Sequence, residues 1–222
     1  EVPLLHLTNA YRTLANGGRM GPVTLATPQA TPRAPRSAVG ASANPSASAP
    51  ALDPRAAFIV GDILSDGNSR ARTFGTDSVL ATRFWSAVKT GTSKDMRDNW
   101  AVGWSARYTV GVWVGNASGA AMHEVSGTSG AAPIWAAVMG FLHAREPSPA
   151  PQPIAGLVKT AVRFDAAQTN SAGMSAGSTL GRGVGRDARA SSPQPLEAAR
   201  QEWFLESTQQ AIFAIQSEAA SA

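Results

Sequence analysis

The chain has 222 residues, of which 43% are hydrophobic and 15% are charged, enough material for one globular domain with loose extensions. It contains no cysteine, which excludes disulfide bonds and thiolate metal sites. Its net charge is only +4 and the cations do not cluster with aromatic residues, so a nucleic-acid-binding protein is disfavoured. The 222 residues contain no signal peptide and no run of about 18 apolar residues.

The first third of the chain predicts two helices separated by an irregular tract. Apolar residues recur at helical spacing before Gly17-Gly18, a pair that ends helices. Asp53 and Pro54 are residue types that occupy the N-cap and the first turn of a second helix. The predicted elements are, in chain order, a helix over 4–16, a flexible Pro/Ala/Ser-rich insertion over 27–52, a helix from 54 to about 64 and a basic loop over 68–82.

The middle of the chain predicts a small sheet with a covering helix. Aromatic and β-branched residues predict three strands, at 85–92, 99–105 and 109–115. Pro133 begins a helix whose apolar residues are expected to cover the sheet; they are Ile134, Trp135, Val138, Met139, Phe141 and Leu142. After His143 the composition predicts a linker up to about Pro195, followed by a weakly helical segment over 196–216.

The segment Lys89-Thr90-Gly91-Thr92 carries the most chemistry in the chain. The alternation of a strand places Lys89 and Gly91 on one face and the two threonines on the other. Gly91 has no Cβ, so a ligand backbone can approach closely and pair with the strand edge. An ammonium and two hydroxyls beside a glycine suit the binding of a small carboxylate and an oxyanion. The alternative is a solvated surface strand.

The same segment resembles a known family. Lys89-Thr90-Gly91-Thr92, together with residues 97–104 and 112–115, is similar to the third motif and following hairpin of the penicillin-binding transpeptidases. More narrowly, it resembles the bifunctional class A penicillin-binding proteins of the 1C type. Residues 7–18, 129–135 and 200–205 resemble further segments of that family.

The resemblance implies an α+β fold in α/β/α layers, in which an antiparallel sheet is flanked by helices as in β-lactamases and transpeptidases, here incomplete. It implies peptidoglycan D,D-transpeptidase chemistry, in which a serine attacks D-Ala-D-Ala stem peptides and is trapped by β-lactams. Lys89 and Thr92 would be catalytic, Lys89 through its charge and Thr92 through a backbone N–H of the oxyanion hole. Thr90, Gly91 and Thr92 would bind the substrate.

The residues around the motif are assigned structural roles. Asp98 and Asn99 are expected to tie the turn after the first strand. The tryptophans Trp100, Trp104 and Trp113 are expected to belong to the core. No metal and no cofactor are expected.

Two motifs of the family are not present in a usable form, the nucleophile motif Ser-x-x-Lys and the motif Ser-x-Asn. Ser86 stands three residues before Lys89, but such positions on a strand face opposite ways. The triplet Ser42-Ala43-Asn44 lies in the irregular tract, which cannot hold a catalytic group rigidly. Because the chain begins at Glu1 without an initiator Met, we expect a truncated piece that is inactive alone.

Two other classes of function remain open. Gly127-Thr128-Ser129 resembles the serine signature of subtilisin-like proteases, which also need an aspartate and a histidine. The histidines before Ser129 are His6, in an ordinary amphipathic helix, and His123, without a surrounding His-Gly signature. A small-residue loop that leads into a helix is the favoured interpretation. The third class is a non-catalytic interaction module built on a degenerate transpeptidase half.

The resemblance also predicts how the chain is organised and where it acts. Residues 1–145 would be the C-terminal half of a penicillin-binding transpeptidase domain, 146–195 a low-complexity linker and 196–222 the remnant of a C-terminal extension. The full-length parent would be periplasmic and anchored to the inner membrane through its upstream part. Its expected ligands are peptidoglycan stem peptides and β-lactams, without a nucleic-acid partner.

Overall fold

The structure is a computed structural model that describes residues 2–24, 48–68, 70, 78–166 and 195–215. The chain divides into two units, Glu1–Ala155 and Gly156–Ala222. Within the described residues, no helix is both long enough and apolar enough to cross a bilayer. The first unit carries the Lys-Thr-Gly-Thr segment.

The first two helices form where their boundary residues predict them. Helix α1 is Leu4–Ala15, and Gly17 and Gly18 then adopt positive φ angles of 61° and 82°. Helix α2 is Pro54–Ser65, and the carboxylate of its N-cap, Asp53, accepts a hydrogen bond of 2.8 Å from the N–H of Arg55. Both predicted helices are therefore confirmed.

The predicted insertion and basic loop lie mostly outside the described residues. The part of 27–52 that the structure describes includes strand β2, Ala49–Pro50, which pairs antiparallel with strand β1, Arg19–Met20. At Gly18 a Cβ would lie 2.3 Å from the carbonyl oxygen of Leu52, so only glycine fits beside the returning chain. The end of the predicted insertion is thus ordered strand and not flexible chain.

Three strands form an antiparallel sheet in the order β3-β4-β5. They are β3, Ala87–Thr92, β4, Asp98–Trp104, and β5, Thr109–Gly115, within two residues of their predicted bounds. The register places Lys89 opposite Val102 and Thr92 opposite Asn99. Among the described residues, β4 is the only ladder partner of β3, so β3 is an edge strand.

Helices cover both faces of this sheet. On one face, α1 approaches β5 so closely that a Cβ at Gly111 would lie 2.0 Å from Thr8 Oγ1, and Tyr11 packs edge-on against Trp104 at 5.9 Å. On the other face lies helix α3, Ala132–Leu142, whose Trp135 is fully buried. The predicted α/β/α layering and antiparallel sheet are confirmed.

Two expectations about α3 are corrected. The loop predicted before it is a π-type helical turn, Gly127–Ala131, because Ser126 caps its free N–H groups. Of the six apolar residues expected to cover the sheet, Trp135 and Met139 are buried in the core, whereas three are 38–81% exposed; they are Ile134, Val138 and Phe141. The helix is apolar on several sides, and a single flat sheet can cover only one of them.

The second unit contradicts the linker and helix predictions. It contains β6, Leu157–Ala166, β7, Pro195–Leu205, and β8, Ile212–Ile215. Strand β6 pairs antiparallel with β7 and parallel with β8. The boundary after 145 and the linker 146–195 were therefore wrong, since β6 lies inside that linker.

The errors in the second unit have a local cause. The alternating apolar residues of β6 are few; they include Val158, Val162 and Phe164. They lie within a Pro/Gly/Ser-rich stretch, whose composition predicts a linker and not a strand. Residues 196–202 are good helix formers by propensity, but pairing of the segment with β6 overrides that weak preference. Lys159 lies over the ring of Trp203 at 5.2 Å, which adds a cross-strand contact.

Candidate functional site

The Lys-Thr-Gly-Thr segment lies along the edge of β3 that faces away from β4, called here the open edge. The N–H of Ser93 donates to the carbonyl of Asp98 at 2.9 Å, which makes this residue pair a hydrogen-bonded one. Because bonding alternates along an antiparallel ladder, the backbone N–H and C=O groups of Thr90 and Thr92 point to the open edge. Lys89 Nζ donates to the carbonyl of Thr90 at 2.6 Å, in agreement with this direction.

The four residues of the segment differ in exposure. Lys89 and Thr92 are exposed, Gly91 is half-buried and Thr90 is only 9% exposed. Thr90 and Thr92 lie on the face that packs against α3, and Lys89 lies on the opposite face. A ligand on the open edge therefore reaches Lys89 and Thr92 more easily than the hydroxyl of Thr90.

The turn after β3 is held by Asp98. Its carboxylate accepts hydrogen bonds of 2.9 Å from Ser93 Oγ and from Trp113 Nε1, and its N–H donates to Ser93 Oγ at 2.8 Å. This agrees with the structural role predicted for Asp98. Asn99 is fully buried beneath the strand and pairs in register with Thr92.

The three tryptophans of the hairpin differ in burial. Trp104 is 3% exposed and belongs to the core as expected, whereas Trp113 is 36% exposed. Trp100 is half-buried, with its ring centre 6.3 Å from that of Trp113. The core expectation is therefore wrong for Trp113, because β5 places it near the end of the sheet, where its indole N–H binds Asp98.

Gly127 makes a direct contact with the motif that sequence reasoning missed. Its N–H donates a hydrogen bond of 2.9 Å to Thr92 Oγ1, across 35 residues of sequence. A Cβ at this position would lie 2.5 Å from the carbonyl oxygen of Gly91, so the close approach requires glycine. The sequence signal for this contact is a glycine at the start of a small-residue turn, but that signal does not identify Thr92 as the partner.

The other serine candidates have structural partners. Ser129 Oγ accepts a hydrogen bond of 2.9 Å from the N–H of Ser126, with which it forms a capping box. Among the described residues, no histidine is hydrogen-bonded to Ser129, so the protease alternative lacks its base. Ser86 is 4% exposed and its Oγ lies 2.9 Å from Thr82 Oγ1. The triplet Ser42-Ala43-Asn44 lies outside the described residues.

A buried Ser-His pair lies at the other end of the sheet. His143 Nε2 is 2.8 Å from Ser105 Oγ, and His143 Nδ1 is 2.7 Å from the carbonyl oxygen of Glu146. With Nδ1–H donating to that carbonyl, Nε2 accepts from the serine. Burial, and then the charge of Arg107, lower the pKa of His143.

This pair is best explained as a structural tie between the β4–β5 turn and the end of α3. Ser105 Oγ also accepts hydrogen bonds of 3.2 and 3.1 Å from the N–H groups of Arg107 and Tyr108, which fix the turn. No group of three or more potential metal ligands occurs within the described residues.

Part of the chain is similar to penicillin-binding proteins. No protein-family model matches the chain. It is 36% identical over 92 residues to penicillin-binding protein 1A of Pseudomonas aeruginosa, which is 40% of this chain and 11% of that protein. It is 35% identical over 96 residues to penicillin-binding protein 1C of Escherichia coli, which is 43% of this chain and 12% of that protein.

A solved structure supports the fold. The crystal structure of penicillin-binding protein 1A from Haemophilus influenzae matches 98% of this chain and 33% of that chain, with a TM-score of 0.61 and 14% identity. At this identity the likeness shows the fold alone, which is the transpeptidase fold. The chain matches only 11–12% of the length of the two curated relatives.

Proposed function

Because this chain carries a C-terminal part of the transpeptidase domain of a class A penicillin-binding protein, we propose that it supplies the Lys-Thr-Gly-Thr half of a peptidoglycan D,D-transpeptidase site. The observation that carries the proposal is the open edge of β3. There, exposed Lys89 and Thr92 lie beside backbone groups that point away from the sheet. A peptide that ends in a carboxylate can pair with such an edge.

The proposed reaction is acyl transfer. A serine, supplied by polypeptide outside these 222 residues, attacks the carbonyl carbon of the D-Ala-D-Ala peptide bond. The C–N bond breaks, the terminal D-Ala leaves as an amine after taking up the serine's proton, and the acyl group passes from the serine to an acceptor amine. β-Lactams would acylate the same serine. In a cell the parent would act in the periplasm.

Each residue of the open edge would have a separate role in the reaction. The N–H of Thr92 would donate to the oxyanion that forms on the attacked carbonyl, and the nucleophile's own N–H would provide the second donor. The ammonium of Lys89 keeps two N–H donors beyond the one bound to Thr90, so it can stabilise the substrate carboxylate and assist proton transfer. Gly91 would let the peptide backbone approach, and Thr92 would offer its hydroxyl, with Thr90 behind it.

The test is a hybrid that joins residues 1–155 to a penicillin-binding protein segment carrying Ser-x-x-Lys and Ser-x-Asn. Its second-order acylation rate by a fluorescent penicillin should fall about 10²–10⁴-fold in Lys89→Ala, the range expected when a charge leaves a desolvated site. Lys89→Arg should also be impaired, since a planar guanidinium is not a compact point charge.

The matched control is Ser129→Ala, which keeps the hydrogen bond from the Ser129 N–H to Ser126 Oγ and should leave the acylation rate within a few-fold of the parent hybrid. All variants are compared at equal thermal stability. An unchanged rate in Lys89→Ala, together with an inactive Ser129→Ala, would contradict the proposal and move the active site to the Gly127-Thr128-Ser129 segment.

A further inference from the structure

The contact between Gly127 and Thr92 joins two parts of the fold at the proposed site. Gly127 begins the π-type turn that runs into α3, so its N–H is one of the donors that a helix start leaves without an intrahelical partner. That donor is satisfied by Thr92 Oγ1 at 2.9 Å. The start of the turn is itself fixed by the capping box between Ser126 and Ser129.

The hydrogen bond restricts the direction of the Thr92 hydroxyl. A hydroxyl has one hydrogen to donate and two lone pairs that accept. Since one lone pair already receives the N–H of Gly127, the hydroxyl hydrogen must point elsewhere. The Thr92 side chain is exposed, so this hydrogen is available to an acceptor at the open edge. Without the bond, the hydroxyl could rotate and lose that preference.

Only glycine can hold the amide at this position. A Cβ on residue 127 would lie 2.5 Å from the carbonyl oxygen of Gly91 and 3.0 Å from that of Trp100. Both contacts are backbone atoms of the sheet, which cannot move aside as a flexible side chain does. Any larger residue would therefore push the turn away from Thr92.

We propose that Gly127 is a positioning residue of the site: its backbone N–H orients the Thr92 hydroxyl to donate to the C-terminal carboxylate of the acyl-D-Ala-D-Ala substrate. This inference rests on the function proposed above and adds to it the means by which a carboxylate is distinguished from a neutral chain end. A charge-assisted hydrogen bond is stronger than a neutral one, so a fixed donor discriminates between the two.

The experiment uses the full 222-residue chain and two peptides, N-acetyl-D-Ala-D-Ala and its C-terminal amide. Binding is followed by the NMR amide shifts of Thr92 and Gly127. The unmodified chain should bind the acid more tightly than the amide, and Gly127→Ala should reduce this preference roughly tenfold, as expected for loss of a hydrogen bond to a charged group. Thr92→Val should reduce the preference at least as much, leaving only the part that the charge of Lys89 provides, whereas Thr92→Ser, which keeps the hydroxyl, should retain the full preference.

Gly140→Ala is the matched control, because it lies in α3 and a Cβ there meets nothing within 4 Å. It should keep the preference of the unmodified chain. If Gly127→Ala does not fold, the inference is tested by the Gly127 amide resonance of the unmodified chain and of Thr92→Val. This resonance should shift when the acid is added to the unmodified chain and should not shift in Thr92→Val.

The possible failures are distinguishable. An acid preference that is undiminished in folded Gly127→Ala, or a Gly127 resonance that does not shift with the acid, overturns this inference and leaves the proposed function in place. Equal or absent binding of both peptides by the unmodified chain overturns the proposed function of the open edge, and this inference falls with it.

Discussion

Replacement of Trp135 by alanine tests how α3 is held against the sheet that carries the candidate site. Trp135 is fully buried, and its indole occupies the space above Gly103, where a Cβ would lie 2.7 Å from Trp135 Cζ2. Because the helix continues directly from the turn that begins at Gly127, this indole also anchors the contact with Thr92. Phe141 lies on the same helix and is 81% exposed, which makes it a matched control.

The expected cost follows from the burial of the side chain. Truncation of a buried Trp to Ala costs about 3–5 kcal/mol, through lost transfer free energy and the cavity left behind. Trp135 Nε1 has no hydrogen-bond partner among the described residues, so no hydrogen bond is lost and the lower end, about 3 kcal/mol, is expected. Phe141→Ala should change the free energy of unfolding by less than about 0.5 kcal/mol.

The assay is urea unfolding followed by circular dichroism. With a slope of about 1–3 kcal/mol per M, the loss in Trp135→Ala corresponds to a midpoint lower by roughly 1–3 M. A cost below about 1 kcal/mol for Trp135→Ala, or an equal cost for Phe141→Ala, would refute the assignment of the buried face of α3.

Three further predictions concern pH, covalent labelling by a penicillin and the sheet. The lowered pKa of His143 means that its neutral form is favoured in the folded state, so the stability that this neutral histidine contributes is complete above pH 6.5 and is lost as the pH falls through the lower pKa of the folded state. The melting temperature should therefore drop below pH 6.5, and less steeply in His143→Gln. An identical pH profile in the two proteins would contradict this. The 222-residue chain should form no covalent adduct with a fluorescent penicillin, and a labelled band that survives boiling in detergent would oppose the proposed division of the site. Gly103→Ala should lower the melting temperature strongly, since its Cβ would lie 2.5 Å from the carbonyl oxygen of Ala87, and an unchanged melting curve would oppose this packing.

The first unit could be predicted from sequence because its signals are local. Asp53 and Pro54 mark the start of α2 within two residues, and Gly17-Gly18 mark the end of α1. The three strands of the hairpin region each carry enough aromatic and β-branched residues to be recognised alone. In the second unit, β6 and β7 are stabilised by pairing with each other, and neither segment alone has a sequence pattern that predicts this pairing.

The candidate site was predictable only in part for a similar reason. Lys89 and Thr92 belong to one short motif on a strand that is readable in the sequence, but they lie on opposite faces of it, so alternation alone does not predict that both are exposed. The contact between Gly127 and Thr92 spans 35 residues, and that between Ser105 and His143 spans 38. Such contacts arise only when the helix packs on the sheet, so no local pattern identifies the partner.

The most direct test of the central claim is a crystal structure of the hybrid described above, acylated by a penicillin. The acyl carbonyl oxygen is expected to lie about 2.7–3.1 Å from the backbone N of Thr92, the distance of an oxyanion-hole donor. The ligand carboxylate is expected to accept a hydrogen bond from Thr92 Oγ1, with the N–H of Gly127 still bound to that oxygen. An acyl group bound away from the open edge of β3, with its carboxylate beyond reach of both Lys89 and Thr92, would contradict the claim that this strand forms half of the site.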